Sequence, residues 1–229
     1  MSKCYEKDKI PVNTVERLIK YRHLLNWLSD NDKTHIFSHE LAALVDNTPA
    51  QMRRDLMITG CSGHPKYGYK ITDLSKGISD VLHKGRKRKI AIVGIGGLGR
   101  SILSYFRNPS KEFEVVAAFD VDKQKVGQKI SGCPCYHQDE IIIKINELGI
   151  SMGVITVPND QAQAVADKLI EAKVCAILNF AYLPVKVPKN IRVEQLNISM
   201  KLEKLAYFSG DCINCKDGIV DCSKELVNL

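Results

Sequence analysis

The sequence predicts an α/β protein in two parts, with a helical N-terminal part followed by a doubly wound parallel sheet. Three observations predict this fold class. Apolar residues recur at helical spacing before about residue 84, whereas after residue 89 short apolar runs alternate with helical segments. The formal net charge of +7 belongs entirely to residues 1–89, which hold 17 Lys and Arg against 10 Asp and Glu. A chain of 229 residues with 45% hydrophobic side chains is long enough for two small cores.

Two helices are predicted at the start of the chain. The first covers about residues 14–29, because apolar residues recur in phase after Thr14, a candidate N-cap. A shorter helix over 40–45 follows Ser38, a second candidate N-cap. The basic charge of this part suggests that it faces a polyanion.

The third helix, predicted over 49–59, opens with Pro49, which suits the first position of a helix. A short helix, a tight turn and a second helix with basic and amide side chains are typical of a helix-turn-helix, whose second helix enters the DNA major groove. Gln51, Arg53 and Arg54 are candidate DNA contacts, because such side chains bond bidentately to base edges. The alternative is that the three helices pack for structure alone.

Segment 60–71 alternates turn formers with β-formers, which predicts a small hairpin wing. A further helix is predicted over 73–83. The basic run 84–89 then breaks the pattern, either as a solvated linker or as a phosphate contact.

The second part alternates strands with helices. Continuous apolar runs predict buried parallel strands over 90–93, 115–119, 153–157 and 176–180, with helices through Tyr105 and over 140–148 and 161–172. This alternation implies right-handed crossovers and a doubly wound sheet of the Rossmann type.

A glycine motif after the first of these strands predicts a dinucleotide site. Gly94, Gly96 and Gly99 stand between a predicted strand and a predicted helix, and Asp120 closes the next strand 21 residues beyond Gly99. Gly94 would form the tight turn, Gly96 would let backbone amides reach a pyrophosphate, and Gly99 would let helix and strand approach. Asp120 would accept hydrogen bonds from the adenosine ribose and repel a 2′-phosphate, which favours NAD(H). Another adenine nucleotide such as coenzyme A, or glycine packing without a ligand, are the alternatives.

Two further strand ends carry candidate cofactor contacts. Thr156 and Pro158 follow one strand, and Asn179 and Phe180 end another, at the carboxyl edge where ligands of open α/β sheets bind. Phe180 is equally well explained as a core residue.

Tyr105 is the one candidate acid on the cofactor side, and no paired acid and base stand near it. We therefore expect NAD(H) to be sensed and not consumed, so that the protein is not an enzyme. An NAD-dependent oxidoreductase with a basic accessory domain is the alternative.

The apolar runs and the first residues of the chain indicate where the protein is located, and the location indicates the state of its cysteines. No apolar run approaches the roughly 20 residues that span a bilayer, and residues 1–9 lack the apolar segment of a secretory signal. We expect a cytoplasmic protein whose eight cysteines are thiols or metal ligands.

Several short motifs occur together in one order along about residues 10–208. They are Ile10-Pro11 with Thr14, Arg17-Leu18 and Tyr21, then Glu40-Leu41-Ala42, Arg53-Arg54-Asp55, Gly68-Tyr69, Ile92–Gly99, Asp120-Val121-Asp122 and Asn179-Phe180-Ala181. In these motifs the chain resembles the Rex family of redox-sensing transcriptional repressors. The resemblance implies a homodimer of winged-helix and Rossmann domains with an exchanged C-terminal helix. It also implies repression through palindromic operators and release by NADH.

The resemblance assigns roles to particular residues. The turn that would hold the pyrophosphate consists of Gly94, Ile95, Gly96, Gly97, Leu98 and Gly99. Tyr105 would lie near the nicotinamide and take part in switching, and Lys66 and Tyr67 would lie on the DNA-binding wing. The implied domains are 1–84 for DNA, 85–196 for NAD(H), 197–209 for the exchanged dimerisation helix and 210–229 for a tail.

Two departures from the family pattern affect function. Pro65-Lys66 stands where the family wing usually has Arg-Gly, which bears on the operator sequence that is read. Asn197 stands where an Asp usually partners the switching tyrosine, and an uncharged amide cannot change ionisation with the nicotinamide. The contrast between NAD+ and NADH is therefore expected to differ from the family's.

The tail beyond the resemblance carries Cys212, Cys215 and Cys222. The CxxC spacing can chelate a metal ion or an iron–sulfur cluster, although three cysteines do not complete a set of four. A tail without a ligand and a thiol switch are the alternatives, and a regulator that senses metal or thiol state through these cysteines is a third hypothesis for function. Cys133-Pro134-Cys135 is read either as a surface loop or as a reactive pair.

Overall fold

A computed structural model of the chain describes residues 10–83, 86–107 and 112–209. The chain divides into two compact units. Of the described residues, the first unit holds those up to Lys89 together with 112–114, and the second holds 90–107 and 115–209. Residues 112–114 thus belong to the first unit although they follow residues 90–107 of the second, which no local pattern signals.

The N-terminal unit has the helix-turn-helix and wing that the sequence predicts. Its elements are α1 (Val12–Asp30), β1 (His35–Ile36), α2 (Ser38–Ala43), α3 (Pro49–Met57), β2 (Tyr69–Lys70) and α4 (Ile71–His83). Strands β1 and β2 pair antiparallel, with His35 opposite Lys70. One apolar core joins the helices, and its fully buried members include Leu18, Tyr21, Leu25, Leu41, Met52, Leu56 and Ile78.

Both predicted N-caps in this unit are wrong. Helix α1 begins two residues before Thr14, because the carbonyl of Pro11 already accepts the N–H groups of Thr14 and Val15 at 2.9 and 3.1 Å. Ser38 is the first residue of α2 and not its cap. Glu40 supplies the capping interaction instead, since its Oε2 accepts the Phe37 N–H at 2.7 Å.

The wing closes through a tight turn between His64 and Gly68. Each residue donates its N–H to the carbonyl of the other, at 2.7 and 2.8 Å. Gly68 has a φ of +73°, and a side chain there would lie 2.5 Å from the Ile36 carbonyl oxygen. Glycine is therefore required where the wing meets β1.

The C-terminal unit is a seven-stranded sheet with helices. Its elements are β3 (Arg88–Val93), α5 (Gly97–Tyr105), β4 (Phe113–Asp120), β5 (Lys129–Ile130), β6 (Cys133–His137), a 3₁₀ turn (Gln138–Glu140), α6 (Ile141–Leu148), β7 (Met152–Ile155), α7 (Asn159–Glu171), β8 (Ala176–Asn179), β9 (Arg192–Gln195) and α8 (Ile198–Ser209). The strand order is β5-β6-β4-β3-β7-β8-β9. The chain leaves β3 toward one edge and then crosses to the other, which confirms the doubly wound sheet and puts the switch point beside β3.

The sequence pattern did not predict strands β5, β6 and β9. The two-residue β5 pairs antiparallel with β6, and Pro134 within β6 argues locally against a strand. The Cys133-Pro134-Cys135 segment is therefore not a surface loop, because both cysteines are buried in the sheet. Burial raises the pKa of the Cys133 thiol to about 12 and also raises that of Cys135, which disfavours a reactive thiolate at either position.

Helix α8 follows β9 and confirms a C-terminal helix within one residue of its predicted bounds. None of its twelve residues is buried. Ile198, Leu202 and Leu205 are all more than half exposed and share one side of the helix. The helix thus presents an apolar stripe that this chain leaves uncovered.

Candidate functional sites

The glycine turn lies between β3 and α5, at the switch point of the sheet. Gly94 has a φ of +95°, and its N–H donates to the Phe119 carbonyl at 2.8 Å. A side chain at Gly94 would approach the Thr156 carbonyl oxygen to 2.8 Å, and one at Gly99 would overlap the Gly94 carbonyl oxygen. Glycine is needed at these two positions for a tight turn and for close contact between helix and strand.

The next two glycines border open space. A side chain at Gly96 or Gly97 would meet no atom within 4 Å, although both stand at the start of α5. Ile95 is fully buried, whereas Leu98 faces outward. A free helix N-terminus with room above its backbone amides fits the pyrophosphate of a dinucleotide.

Asp120 ends β4 beside this turn, with its carboxylate pointing back to it. Its Oδ2 accepts the Ile95 N–H at 2.7 Å and the Lys125 ammonium at 3.1 Å, and its Oδ1 accepts the Asp122 N–H at 2.9 Å. Burial alone would raise the pKa of this carboxyl, but the hydrogen bonds from the two backbone amides and from Lys125 outweigh burial and lower it. Asp120 is therefore ionised at neutral pH, and an ionised carboxylate only accepts hydrogen bonds, which suits ribose hydroxyls.

Thr156 ties the end of β7 to the glycine turn. Its hydroxyl lies 2.6 Å from the Gly94 carbonyl oxygen and 3.0 Å from that of Val93. Pro158 is the N-cap residue of α7, directly after this strand end. The structure therefore brings Thr156 to the glycine turn, where its side chain supports the turn's backbone.

Asn179 organises the loop after β8. Its side chain is fully buried, donates to the Leu183 carbonyl at 3.0 Å and to Gln195 Oε1 at 2.9 Å, and accepts the Ala181 N–H at 3.0 Å. These contacts orient loop 181–183, while Phe180 is half-buried. Sequence reasoning missed Asn159, whose Oδ1 accepts the N–H of Leu183 from the neighbouring strand end.

The two candidate switching residues stand at the ends of different helices. Tyr105 is the last residue of α5, about 12 Å along the helix from Gly97, and is 82% exposed. Asn197 is buried and caps α8, because its Oδ1 accepts the Met200 N–H at 3.0 Å.

Helix α3 presents a basic face in the N-terminal unit. Arg53 and Arg54 are exposed, and Arg53 Nη1 reaches Ser38 Oγ at 3.3 Å. Gln51 is half-buried and donates from Nε2 to Asp55 Oδ1 at 2.8 Å. Thr48 caps the helix by accepting the Gln51 N–H at 3.2 Å, which fixes the first turn of α3.

Asp55 is the centre of a buried network that the sequence pattern did not reveal. Arg17 donates from Nε to Asp55 Oδ2 at 2.7 Å and from Nη2 to Asp55 Oδ1 at 2.8 Å. The Tyr21 hydroxyl also donates to Asp55 Oδ2, at 2.8 Å. Burial would raise the pKa of Asp55, but the bonds from Arg17, Tyr21 and Gln51 outweigh it and lower that pKa. Burial, together with the bond to Asp55, raises the pKa of Tyr21 to about 12. The network ties α3 to α1.

The wing carries a cation beside an aromatic ring. Tyr67 is 55% exposed and stacks on His64 with ring centroids 5.0 Å apart. Lys66 Nζ lies 5.5 Å from the centre of the Tyr67 ring. The two predicted wing residues are therefore adjacent and exposed.

Cys212, Cys215 and Cys222 lie outside the described residues. Among residues 10–83, 86–107 and 112–209, no group of three or more His, Cys, Asp or Glu side chains could hold a metal ion. No helix in these same ranges is long and apolar enough to cross a membrane.

Two family models match the chain. One, described as a CoA binding domain, matches residues 85–183, and one described as a putative DNA-binding protein N-terminus matches residues 9–56. The two matches fall on the two parts of the chain that carry the glycine turn and helix α3.

Curated relatives cover nearly the whole chain. The redox-sensing transcriptional repressor Rex of Listeria welshimeri is 36% identical over 203 residues, which is 89% of this chain and 94% of that protein. The repressor of the same name from Geobacillus kaustophilus is also 36% identical over 203 residues, 89% of this chain and 95% of its own.

Solved structures of a Rex-family repressor called RSP share the fold. RSP in complex with β-NAD+ and operator DNA is 28% identical, with a TM-score of 0.81 over 89% of this chain and 94% of that one. RSP in complex with β-NADH is 27% identical, with a TM-score of 0.78 over 90% and 97% of the two chains.

Proposed function

This chain belongs to the Rex family of redox-sensing transcriptional repressors, and from this membership we propose that it is an NADH-responsive repressor. It binds palindromic operator DNA as a homodimer and leaves the DNA when NADH binds. The observation that carries the proposal is the presence, in one chain, of an open glycine turn with an ionised Asp120 beside it and of an exposed basic recognition helix.

The C-terminal unit holds the dinucleotide. Within the turn Gly94–Gly99, the backbone amides at the start of α5 bind the pyrophosphate, and the Asp120 carboxylate accepts hydrogen bonds from the hydroxyls of the adenosine ribose. The loops after β7 and β8, with Thr156, Pro158 and residues 179–180, border the nicotinamide half. When bound, NAD(H) supplies a ring whose charge differs between its two redox states.

The N-terminal unit holds the operator. Helix α3 enters the major groove with Gln51, Arg53 and Arg54, and the wing brings Lys66 and Tyr67 to the backbone or minor groove. NADH acts by binding better to the conformation that does not fit the operator half-sites, so its differential affinity releases the DNA.

The apolar stripe of α8 supports a homodimer. An uncovered helix side with Ile198, Leu202 and Leu205 is what an exchanged helix presents before a second copy covers it. A dimer also matches the two halves of a palindrome. We place the protein in the cytoplasm, with the chromosome.

The oxidoreductase hypothesis is less well supported. Its one candidate acid, Tyr105, is 82% exposed at the end of α5 and has no base paired with it in the sequence pattern. The relatives that cover nine-tenths of this chain are transcriptional repressors.

The test is a titration of NADH against the full-length protein on a labelled palindromic operator, followed by fluorescence anisotropy. NADH should release the DNA, with NAD+ weaker, and coenzyme A serves as the control because of the CoA-binding family model. Operator binding that persists when the protein is saturated with NADH would refute the switch. Hydride transfer to a small aldehyde that disappears in Tyr105→Phe would instead establish the oxidoreductase.

The metal hypothesis for the tail is separate. Elemental analysis of the purified protein should be compared with that of a chain shortened after Gly210. Stoichiometric zinc or iron that is lost on truncation would support a site at Cys212, Cys215 and Cys222, and equal metal content in the two proteins would reject it.

A further inference from the structure

We propose that Gln51 reads an adenine in each operator half-site and that Asp55 is the positioning residue that turns the Gln51 amide for this purpose. The inference rests on the proposed function, since it concerns how the recognition helix selects its sequence.

The contact between the two side chains lies in the first turns of α3. Gln51 is the third residue of the helix and stands one turn before Asp55, so both project from the same side. Gln51 Nε2 lies 2.8 Å from Asp55 Oδ1. N-terminal residues of a recognition helix are those that contact base edges in the major groove.

The carboxylate decides which way the amide faces. Asp55 is 2% exposed, and an ionised carboxylate only accepts hydrogen bonds. Arg17 and Tyr21 already hold it in place with three hydrogen bonds of 2.7 to 2.8 Å. A rotated Gln51 amide would set Oε1 against Oδ1, two acceptors in contact beside a buried charge. The amide nitrogen must therefore face Asp55.

This orientation leaves a defined pair of groups for DNA. Gln51 Oε1 and the second N–H of Nε2 are not used by Asp55, and Gln51 adjoins the exposed residues Ala50 and Arg54. One acceptor beside one donor matches adenine, which presents the N6 amino group as donor and N7 as acceptor. Guanine presents two acceptors, O6 and N7, so Oε1 would face O6 without a hydrogen. Gln51 held in this way therefore favours adenine over guanine.

The experiment begins with in vitro selection of half-sites from a randomised palindrome. Full-length wild-type protein is compared with Gln51→Ala and, as the control on the same helix, Arg54→Ala. Wild type should select an adenine at one position that Gln51→Ala alone no longer distinguishes. Replacing that adenine with 7-deazaadenine in one half-site, which removes N7, should weaken wild-type binding about 5- to 150-fold and leave Gln51→Ala unaffected.

Asp55→Asn tests the positioning role. The side-chain amide that this substitution introduces can present either an acceptor or a donor to Gln51, so the Gln51 amide is free to rotate. The preference for adenine over guanine should therefore be lost at that position, while the other positions of the half-site are still recognised. Fluorescence of Trp27, the only tryptophan, reports whether the N-terminal unit is folded in this variant. Should it be unfolded, the orientation of the amide is tested on wild type by replacing the selected adenine with guanine: an amide that Asp55 holds should bind guanine more weakly, whereas equal binding of the two bases would contradict the positioning role.

Three results would overturn the inference. The first is that Gln51→Ala weakens binding to all DNA sequences alike, as loss of a phosphate contact would. The second is that 7-deazaadenine does not change the binding of wild type. The third is that a folded Asp55→Asn variant keeps its preference for adenine. Failure of the wild-type protein to select any palindrome would instead contradict the proposed function.

Discussion

Neighbouring glycines of one turn have different roles, which follow from what surrounds each of them. A side chain at Gly99 would overlap the Gly94 carbonyl oxygen, whereas one at Gly96 would enter open space, and the Gly96 backbone, with a φ of −78°, tolerates any residue. Gly99 is therefore needed for close contact between helix and strand, whereas the role we propose for Gly96 is access of the ligand to the backbone.

We predict that Gly99→Ala and Gly96→Ala separate stability from binding. Gly99→Ala should lower the stability of the C-terminal unit by roughly 1–3 kcal/mol, because an overpacked contact strains the turn. Gly96→Ala should change the free energy of unfolding by less than about 0.5 kcal/mol. It should nevertheless weaken the binding of NADH, because the added methyl group would occupy the space of the pyrophosphate. Thermal unfolding and NADH fluorescence titration measure the two effects. Equal NADH affinity in Gly96→Ala and wild type would contradict the site.

Asp55 couples the stability of the N-terminal unit to pH. Its pKa in the folded protein lies below the ordinary value of 3.8, so its stabilisation is present above that pH and is lost as pH falls through the folded value. Asp55→Asn removes the charge that Arg17 needs, and breaking a buried ion pair typically costs about 3–5 kcal/mol.

We therefore predict a pH-dependent difference between wild type and Asp55→Asn. The difference in unfolding free energy should be largest near pH 7. It should shrink below about pH 4, where the Asp55 carboxyl of the unfolded chain takes up a proton before that of the folded protein does. Urea unfolding followed by Trp27 fluorescence between pH 3 and 7 measures it. Asp139→Asn, which changes an exposed carboxylate in the other unit, is the control. A difference that does not vary with pH would show that Asp55 contributes through shape and not through charge.

At the level of elements, the wing combines exposed charge with a rigid turn. Gly68 fixes the turn against β1, and the Lys66 ammonium lies 5.5 Å from the centre of the exposed Tyr67 ring, so a cation is held at the wing. A cation held at a wing tip suits a phosphate or the narrow minor groove, where negative potential is strongest.

We predict that Lys66→Ala weakens binding to all operator sequences alike. It should also reduce the magnitude of the slope of log K against log salt concentration by about 1 for each bound protomer. The reason is that a phosphate contact releases counterions without reading sequence. Anisotropy titrations at several salt concentrations measure the slope, with Lys186→Ala, an exposed lysine of the other unit, as the charge-matched control. An unchanged slope would remove Lys66 from the phosphate contacts.

At the level of the whole molecule, α8 is the element whose apolar side no other described part of the chain covers. Its apolar side remains uncovered, with Leu205 66% exposed, which is costly for a helix in water unless a second copy covers it. Dimerisation and operator recognition should therefore fail together when the stripe is made polar.

We predict that Leu202→Glu combined with Leu205→Glu yields a monomer. Buried carboxylates without partners oppose the interface strongly, so the mass by light scattering should halve and operator affinity should fall at least tenfold. Glu203→Lys, on another side of α8, should remain dimeric. A double variant that keeps the wild-type mass would place the interface elsewhere.

Local sequence determined the order of the helices and of strands β3, β4, β7 and β8, the glycine turn and the basic helix α3, because periodicity, proline and glycine act over a few residues. Tertiary structure alone decided the pairing of β5, β6 and β9, the membership of 112–114 in the N-terminal unit, the burial of Cys133 and Cys135 and the network at Asp55. Arg17 and Asp55 are 38 residues apart, and no local pattern specifies that they meet. The direction in which Gln51 faces depends on that meeting, since only a buried, ionised carboxylate makes one of the two amide orientations unfavourable.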